Sequence, residues 1–144
     1  MQEQSIELIK LLWVEDETEG GLVERKAYLE SSDNYELVIK RNATDAEIAI
    51  QNETFDIVIF DEPNSGLDPI MSNAIDELIL KMKKELGSTF IVISHDIIGT
   101  FNIADYIGML YNGDFIIFGT KEDVLNSENE IVRDFLKRNL KEIV

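Results

Sequence analysis

With 144 residues, 44% of them hydrophobic, the chain is long enough to bury the core of one domain. Its 29 acidic against 13 basic side chains give a formal net charge of −16, which repels nucleic acid and anionic lipid, because binding either relies on Lys and Arg neutralising phosphates. The absence of cysteine excludes disulfides and thiolate metal sites, and no apolar run is long enough to span a bilayer.

The opening MQEQSIELIK has neither the basic nor the apolar region of a signal peptide, so a cytoplasmic protein is expected. Residues 8–14 (LIKLLWV) form an apolar run broken by one Lys, the pattern of a strand buried on both faces, and the run stops at Glu15-Asp16-Glu17. Trp13 on that strand is expected in the core. Residues 21–29 place Leu22, Val23, Ala27 and Tyr28 on one helical stripe, and residues 35–39 (YELVI) read as a second strand. Thr44 followed by Glu47 has the spacing of a capping box for the next helix, whose apolar side is Ala46, Ile48, Ala49 and Ile50. Residues 55–60 (FDIVIF) are the third strand and the most β-branched.

The turn cluster Pro63-Asn64-Ser65-Gly66 precedes a long amphipathic helix over 69–86, with Ile70, Ala74, Leu78, Ile79, Met82 and Leu86 as its apolar side and Gly87 as its stop. Residues 89–94 (TFIVIS) are the fourth strand, and 96–104 a short helix. Asn112-Gly113 between YIGMLY and DFIIF is a strong hairpin signal. Helices over 121–125 and 128–140 close the chain.

Strands alternating with helices imply an α/β three-layer sandwich of flavodoxin-like type. The expected sheet is mostly parallel, in order 2-1-3-4-5, with the last hairpin strand added at the edge. A single domain is expected over 1–144. The alternative places the first strand beside the fourth. Sites in such sheets form at the carboxyl ends of the strands, where Glu15-Asp16, Asp61-Glu62 and Ser94-His95-Asp96 all fall. The competing account is that strand ends meet solvated polar loops in any case.

From Phe55 onward the chain resembles the second half of an ABC-transporter ATPase, closest to the subgroup that drives lipid transport in bacterial envelopes. The resemblance rests on IVIFDEP, NSGLDP, IVISHD and ADYIGMLYNGDFIIFGTKEDV, in that order. It implies a Walker B strand in which Asp61 holds magnesium through water and Glu62 polarises the attacking water. It also implies a D-loop at NSGLDP and a switch histidine at His95. Residues 1–61 resemble the first half of a response-regulator receiver domain through WVEDE, YELVIKRNATDAEIAI and FDIVIFD. That resemblance implies a magnesium pair at Glu15 and Asp16, a phosphoacceptor at Asp61 and a phosphoryl contact at Ser94.

Asp61 belongs to both patterns, which places a junction within 55–61 between a receiver-like 1–61 and an ATPase-like 62–144. The reading drawn from the two halves is an engineered fold chimera with no evolved catalytic activity. Its alternatives are a receiver module phosphorylated on Asp61 and a non-hydrolysing ABC ATPase fragment. The phosphate cradle G-x-x-x-x-G-K-[ST] is absent from the sequence, as is the LSGGQ signature. Glu62 and His95 are therefore expected to be inactive, and no enzyme activity is expected. No cofactor is required on this reading. A magnesium ion on Glu15, Asp16 and Asp61 is the one that the residues could hold. No specific partner is expected, neither nucleic acid nor membrane; the chain reads as a monomer, with a swapped dimer as the alternative.

Overall fold

A computed structural model describes residues 7–16 and 21–140, with the side chains of 21–23 left undescribed. The single domain expected over 1–144 resolves into two compact units, dividing between Ser94 and His95. Residues 55–61 lie inside the first unit.

The first unit alternates β1 (Ile9–Val14), α1 (Gly21–Glu30), β2 (Tyr35–Lys40), α2 (Ala43–Asn52), β3 (Ile57–Asp61), α3 (Pro69–Glu85) and β4 (Thr89–Ile93). Its four strands form one parallel sheet in the order β2-β1-β3-β4. The chain steps from β1 to β2, then back across β1 to β3. With right-handed crossovers, that reversal puts α1 on one face and α2 and α3 on the other. Register assigns the side chains. Leu12, Val14, Val58, Phe60, Phe90 and Val92 share one face, while Leu11, Trp13, Ile59, Asp61, Ile91 and Ile93 share the opposite one.

Phe60, Leu12 and Val58 are fully buried, and Phe60 stacks on Phe90 with ring centroids 6.3 Å apart. Ala43, Ala46 and Ala49 of α2, with Ile79 and Met82 of α3, complete this core. On the other face α1 is the only helix over the sheet among the described residues of the unit, and Ile91 and Ile93 stay exposed. Trp13 is 8% exposed, a core residue as its strand pattern indicates.

Three details of helix packing differ from the sequence pattern. The α2 cap is Asn42, whose Oδ1 accepts from the backbone N–H of Asp45 at 2.8 Å; Thr44 lies inside the helix. On α1, Ala27 is exposed and Tyr28 is 76% exposed, so the expected stripe is not buried there; Leu22 and Val23 lie outside the described side chains. On α3 Asp76, Ile79 and Met82 are buried and Ile75 and Leu78 half-buried, with the C-cap Leu86 half-buried beyond them, while Ile70 and Ala74 face solvent.

The second unit contains α4 (Ile97–Ile103), β5 (Tyr106–Tyr111), β6 (Asp114–Thr120), α5 (Lys121–Leu125) and α6 (Glu130–Asn139). Among the described residues β5 pairs with β6 alone, as a separate antiparallel sheet. The expected fifth position in the parallel sheet is therefore corrected, and so is the alternative, because β1 sits between β2 and β3. The physical reason is local. Asn112 at φ 50° and Gly113 at φ 87° make the two-residue turn that returns the chain directly onto β5. Ile107, Val124 and Val132 form a small core, packed by Phe101, Ala104, Met109, Ile116, Ile117 and Leu136.

A capping box opens α5. The Thr120 hydroxyl accepts from Asp123 N–H at 3.2 Å, and the Asp123 carboxylate accepts from the Thr120 hydroxyl and backbone N–H. Those bonds, the hydroxyl's first, hold the Asp123 carboxyl below the usual carboxylate range. A carboxylate with a depressed folded pKa stabilises the fold above its unfolded pKa, and that contribution disappears as pH falls through the folded value. Thermal melts of the parent chain and Asp123→Asn should accordingly differ at neutral pH and converge in acid below the carboxylate range.

Candidate functional site

The site candidate is the carboxyl edge of the parallel sheet, where the chain reverses direction between β1 and β3. Asp61, the last residue of β3, pairs in register with Ile93 of β4. Its side chain is 12% exposed and faces Arg25 of α1, with Nη1 at 3.4 Å from Oδ2. At that separation, with the guanidinium largely in solvent, the pair is a modest electrostatic contact. It nevertheless places a cation on the carboxylate that the sequence assigns to magnesium.

Glu62 follows in a left-handed conformation, φ 48°. Holding a non-glycine residue there costs on the order of 1–2 kcal/mol, so the surroundings must fix it. Its N–H donates to the Ile93 carbonyl at 2.8 Å, extending the β3–β4 pairing by one bond, and its carbonyl accepts from Ser65 N–H at 3.1 Å. Leu67 N–H donates to the Asn64 carbonyl at 3.2 Å, and Gly66 supplies a second left-handed position at φ 74°. Asp68 ends the turn. One carboxylate oxygen accepts from Ile70 and Met71 N–H, each at 2.9 Å, capping α3 with Pro69 in its first turn.

The remaining candidates are more dispersed. Glu15 is half-buried and continues the β1–β2 ladder, its N–H donating to the Lys40 carbonyl at 3.0 Å, while Asp16 is exposed. Among the described residues no three metal-ligating side chains come together. Of the expected magnesium set Glu15, Asp16 and Asp61, Glu15 is half-buried, Asp16 is exposed and Asp61 meets Arg25. Ser94 is half-buried just past β4, and His95 is exposed at the start of the second unit.

Two residues of this region escaped the sequence reading. Arg25 lies on a helix whose pattern carries no sign of a partner at the sheet edge. Asp76 did leave a sign, because it interrupts the helical stripe shared by Ile75 and Ile79. It is 6% exposed, the one buried charged side chain among the described residues, and its Oδ1 accepts from Asn64 Nδ2 at 2.9 Å.

No family model matches the chain. Among curated proteins, the intermembrane phospholipid transport system ATP-binding protein MlaF of Haemophilus influenzae is 40% identical over 82 residues, which is 57% of this chain and 31% of that protein. The probable ribonucleotide transport ATP-binding protein mkl of Mycobacterium tuberculosis is 34% identical over 80 residues, 56% of this chain and 22% of the relative. The carnitine transport ATP-binding protein OpuCA of Listeria monocytogenes is 32% identical over 139 residues, 96% of this chain and 32% of the relative. The chain thus spans between a fifth and a third of the length of these relatives. Among solved structures, the ATP-binding cassette MJ1267 of an ABC transporter matches 83% of this chain and 51% of its own, at 22% identity and a TM-score of 0.50. That likeness shows the fold.

The C-terminal region is ABC-transporter-ATPase-like. The engineered chimera without evolved activity is overturned, because one natural relative, OpuCA, aligns across nearly the whole chain and so runs through both supposed halves. The receiver-like origin of residues 1–61 is withdrawn with it. What suggested it was strand pattern: a short apolar strand ending in acids is common to many parallel α/β sheets.

Proposed function

We propose that this chain carries the part of an ABC-transporter ATPase from the Walker B strand to the region after the switch histidine, and that it does not hydrolyse ATP by itself. The observation that carries the reading is the 40% identity to a phospholipid-transport ATP-binding protein over 82 residues. The placement of Asp61 and Glu62 at the carboxyl end of β3 agrees with it. In this reading Asp61 would help hold a magnesium ion that offsets phosphate charge, Glu62 would orient and deprotonate the attacking water, and His95 would contact the terminal phosphate. A nucleotide-bound metal would have to draw Asp61 away from Arg25. The phosphate cradle must come from other residues, since the 144 present contain no Gly-Lys-Ser/Thr string. As in the transport systems named for its relatives, the partner would be a membrane-embedded transport component, with this chain on the cytoplasmic side. None of its own described helices is long and apolar enough to cross a membrane.

Phosphate release from Mg-ATP tests the reading. The chain alone should release none above the protein-free rate. Mixed with the remainder of the Haemophilus influenzae relative, expressed without its matching segment, it should release phosphate, and Glu62→Gln should abolish that. Turnover by the chain alone that survives Glu62→Gln would overturn the assignment.

A further inference from the structure

Burying a carboxylate is unfavourable unless hydrogen bonds replace its water, yet Asp76 sits on the buried stripe of α3, 6% exposed. A hydrophobic residue would serve packing better at that point. What the carboxylate does instead is accept from the Asn64 side chain, twelve residues earlier, in the turn that follows Glu62. The bond fixes the orientation of the Asn64 amide: Nδ2 must face Asp76, which leaves Oδ1 buried without a partner among the described residues. The turn therefore tolerates an unfavourable placement at each end of one hydrogen bond.

The segment held this way is the one that carries the left-handed Glu62. Its front is fixed by the bond from Glu62 N–H to the Ile93 carbonyl. Its back is a short turn, with Ser65 donating to Glu62 and Leu67 donating to Asn64. Without a tie from Asn64 to α3, the middle of the turn is held by its own two turn bonds and by the Asp68 cap at its far end, which leaves less to resist relaxation of a strained φ. We infer that Asp76 is a positioning residue: through Asn64 it clamps the turn onto α3 and holds Glu62 in its left-handed conformation. Its bearing on hydrolysis rests on the reading of Glu62 as the base. The conformational claim does not, and it is measured without nucleotide.

The test is NMR on the full chain, reading the carbon shifts of Glu62 that mark left-handed backbone and the hydrogen exchange of the Ser65 and Leu67 amides. Asn64→Ala keeps every residue of α3 and should shift Glu62 toward ordinary backbone values. It should also speed exchange at both amides by about ten- to a hundredfold, the range attached to a hydrogen bond with a charged acceptor, while the Trp13 amide in β1 is unchanged. The exchanged pair Asn64→Asp with Asp76→Asn restores one amide–carboxylate bond and should return both readings toward the parent values, a rescue that a purely packing role for position 76 would not give. Asp76→Ala should reproduce Asn64→Ala if it folds; if it does not fold, Asn64→Ala and the exchanged pair decide. Unchanged Glu62 shifts and unchanged exchange in Asn64→Ala would overturn the proposal, as would a folded exchanged pair that fails to restore them. If the parent chain mixed with the remainder of the relative releases no phosphate while the NMR changes appear as expected, that would count against the ATPase reading alone.

Discussion

Replacing Phe60 by alanine is expected to lower the unfolding free energy of the parallel-sheet unit by about 3–5 kcal/mol. Phe60 has no exposed surface and stacks on Phe90 of the neighbouring strand. It is paired in register with the buried Val14 on one side and the half-buried Val92 on the other, so its removal leaves a cavity as well as losing transfer free energy. Domains of this size are stable by about 5–15 kcal/mol, so the variant should be marginal at room temperature. Urea unfolding followed by Trp13 fluorescence measures the loss, because Trp13 lies on β1 in the same sheet. A change below about 1 kcal/mol would mean that the core relaxes around the deletion.

Val132→Asp should unfold the second unit. Ile107, Val124 and Val132 form its buried cluster, with Ile103 and Leu140 the other buried hydrophobic residues described in this unit, and Val132 has no exposed surface. A carboxylate placed there without a partner loses its hydration and must either protonate or drag the helix into water. The penalty is several kcal/mol, more than so small a core can supply. Hydrogen exchange should show amides of β5 and β6 losing protection while those of β1 and β3 keep theirs. If both sets of amides lost protection together, the two units would be one cooperative body instead.

Much of the first unit was legible from pattern alone. The apolar runs at 8–14, 55–60 and 89–94 become parallel strands, and in the second unit the Asn112-Gly113 hairpin forms where turn chemistry places it. What pattern could not supply was long-range choice. Nothing in YIGMLY says whether it joins a sheet made earlier in the chain or pairs only with the strand after it. The capping residue moved from Thr44 to Asn42 because both can cap, and the backbone geometry at Asn42 decides between them. The site was legible in part. Asp61 and Glu62 fall at the strand end as their position after an apolar run implies. Arg25 and Asp76 gain meaning only once α1 and α3 are placed against that edge. The two-family origin was a misreading of strand pattern, and similarity spread along the whole chain corrects it.

The order β2-β1-β3-β4 also has a kinetic consequence. The central strand β1 needs a neighbour on each side, and its bond from Lys10 N–H to the Asp56 carboxylate at the head of β3 closes a separation of 46 residues. Closing such a span costs chain entropy before any burial compensates it. The hairpin of the second unit closes across two residues. Refolding from denaturant should therefore be paced by the joining of β1 to β3, and the carboxyl edge that bears Asp61 and Glu62 comes into existence only when that slow step is complete.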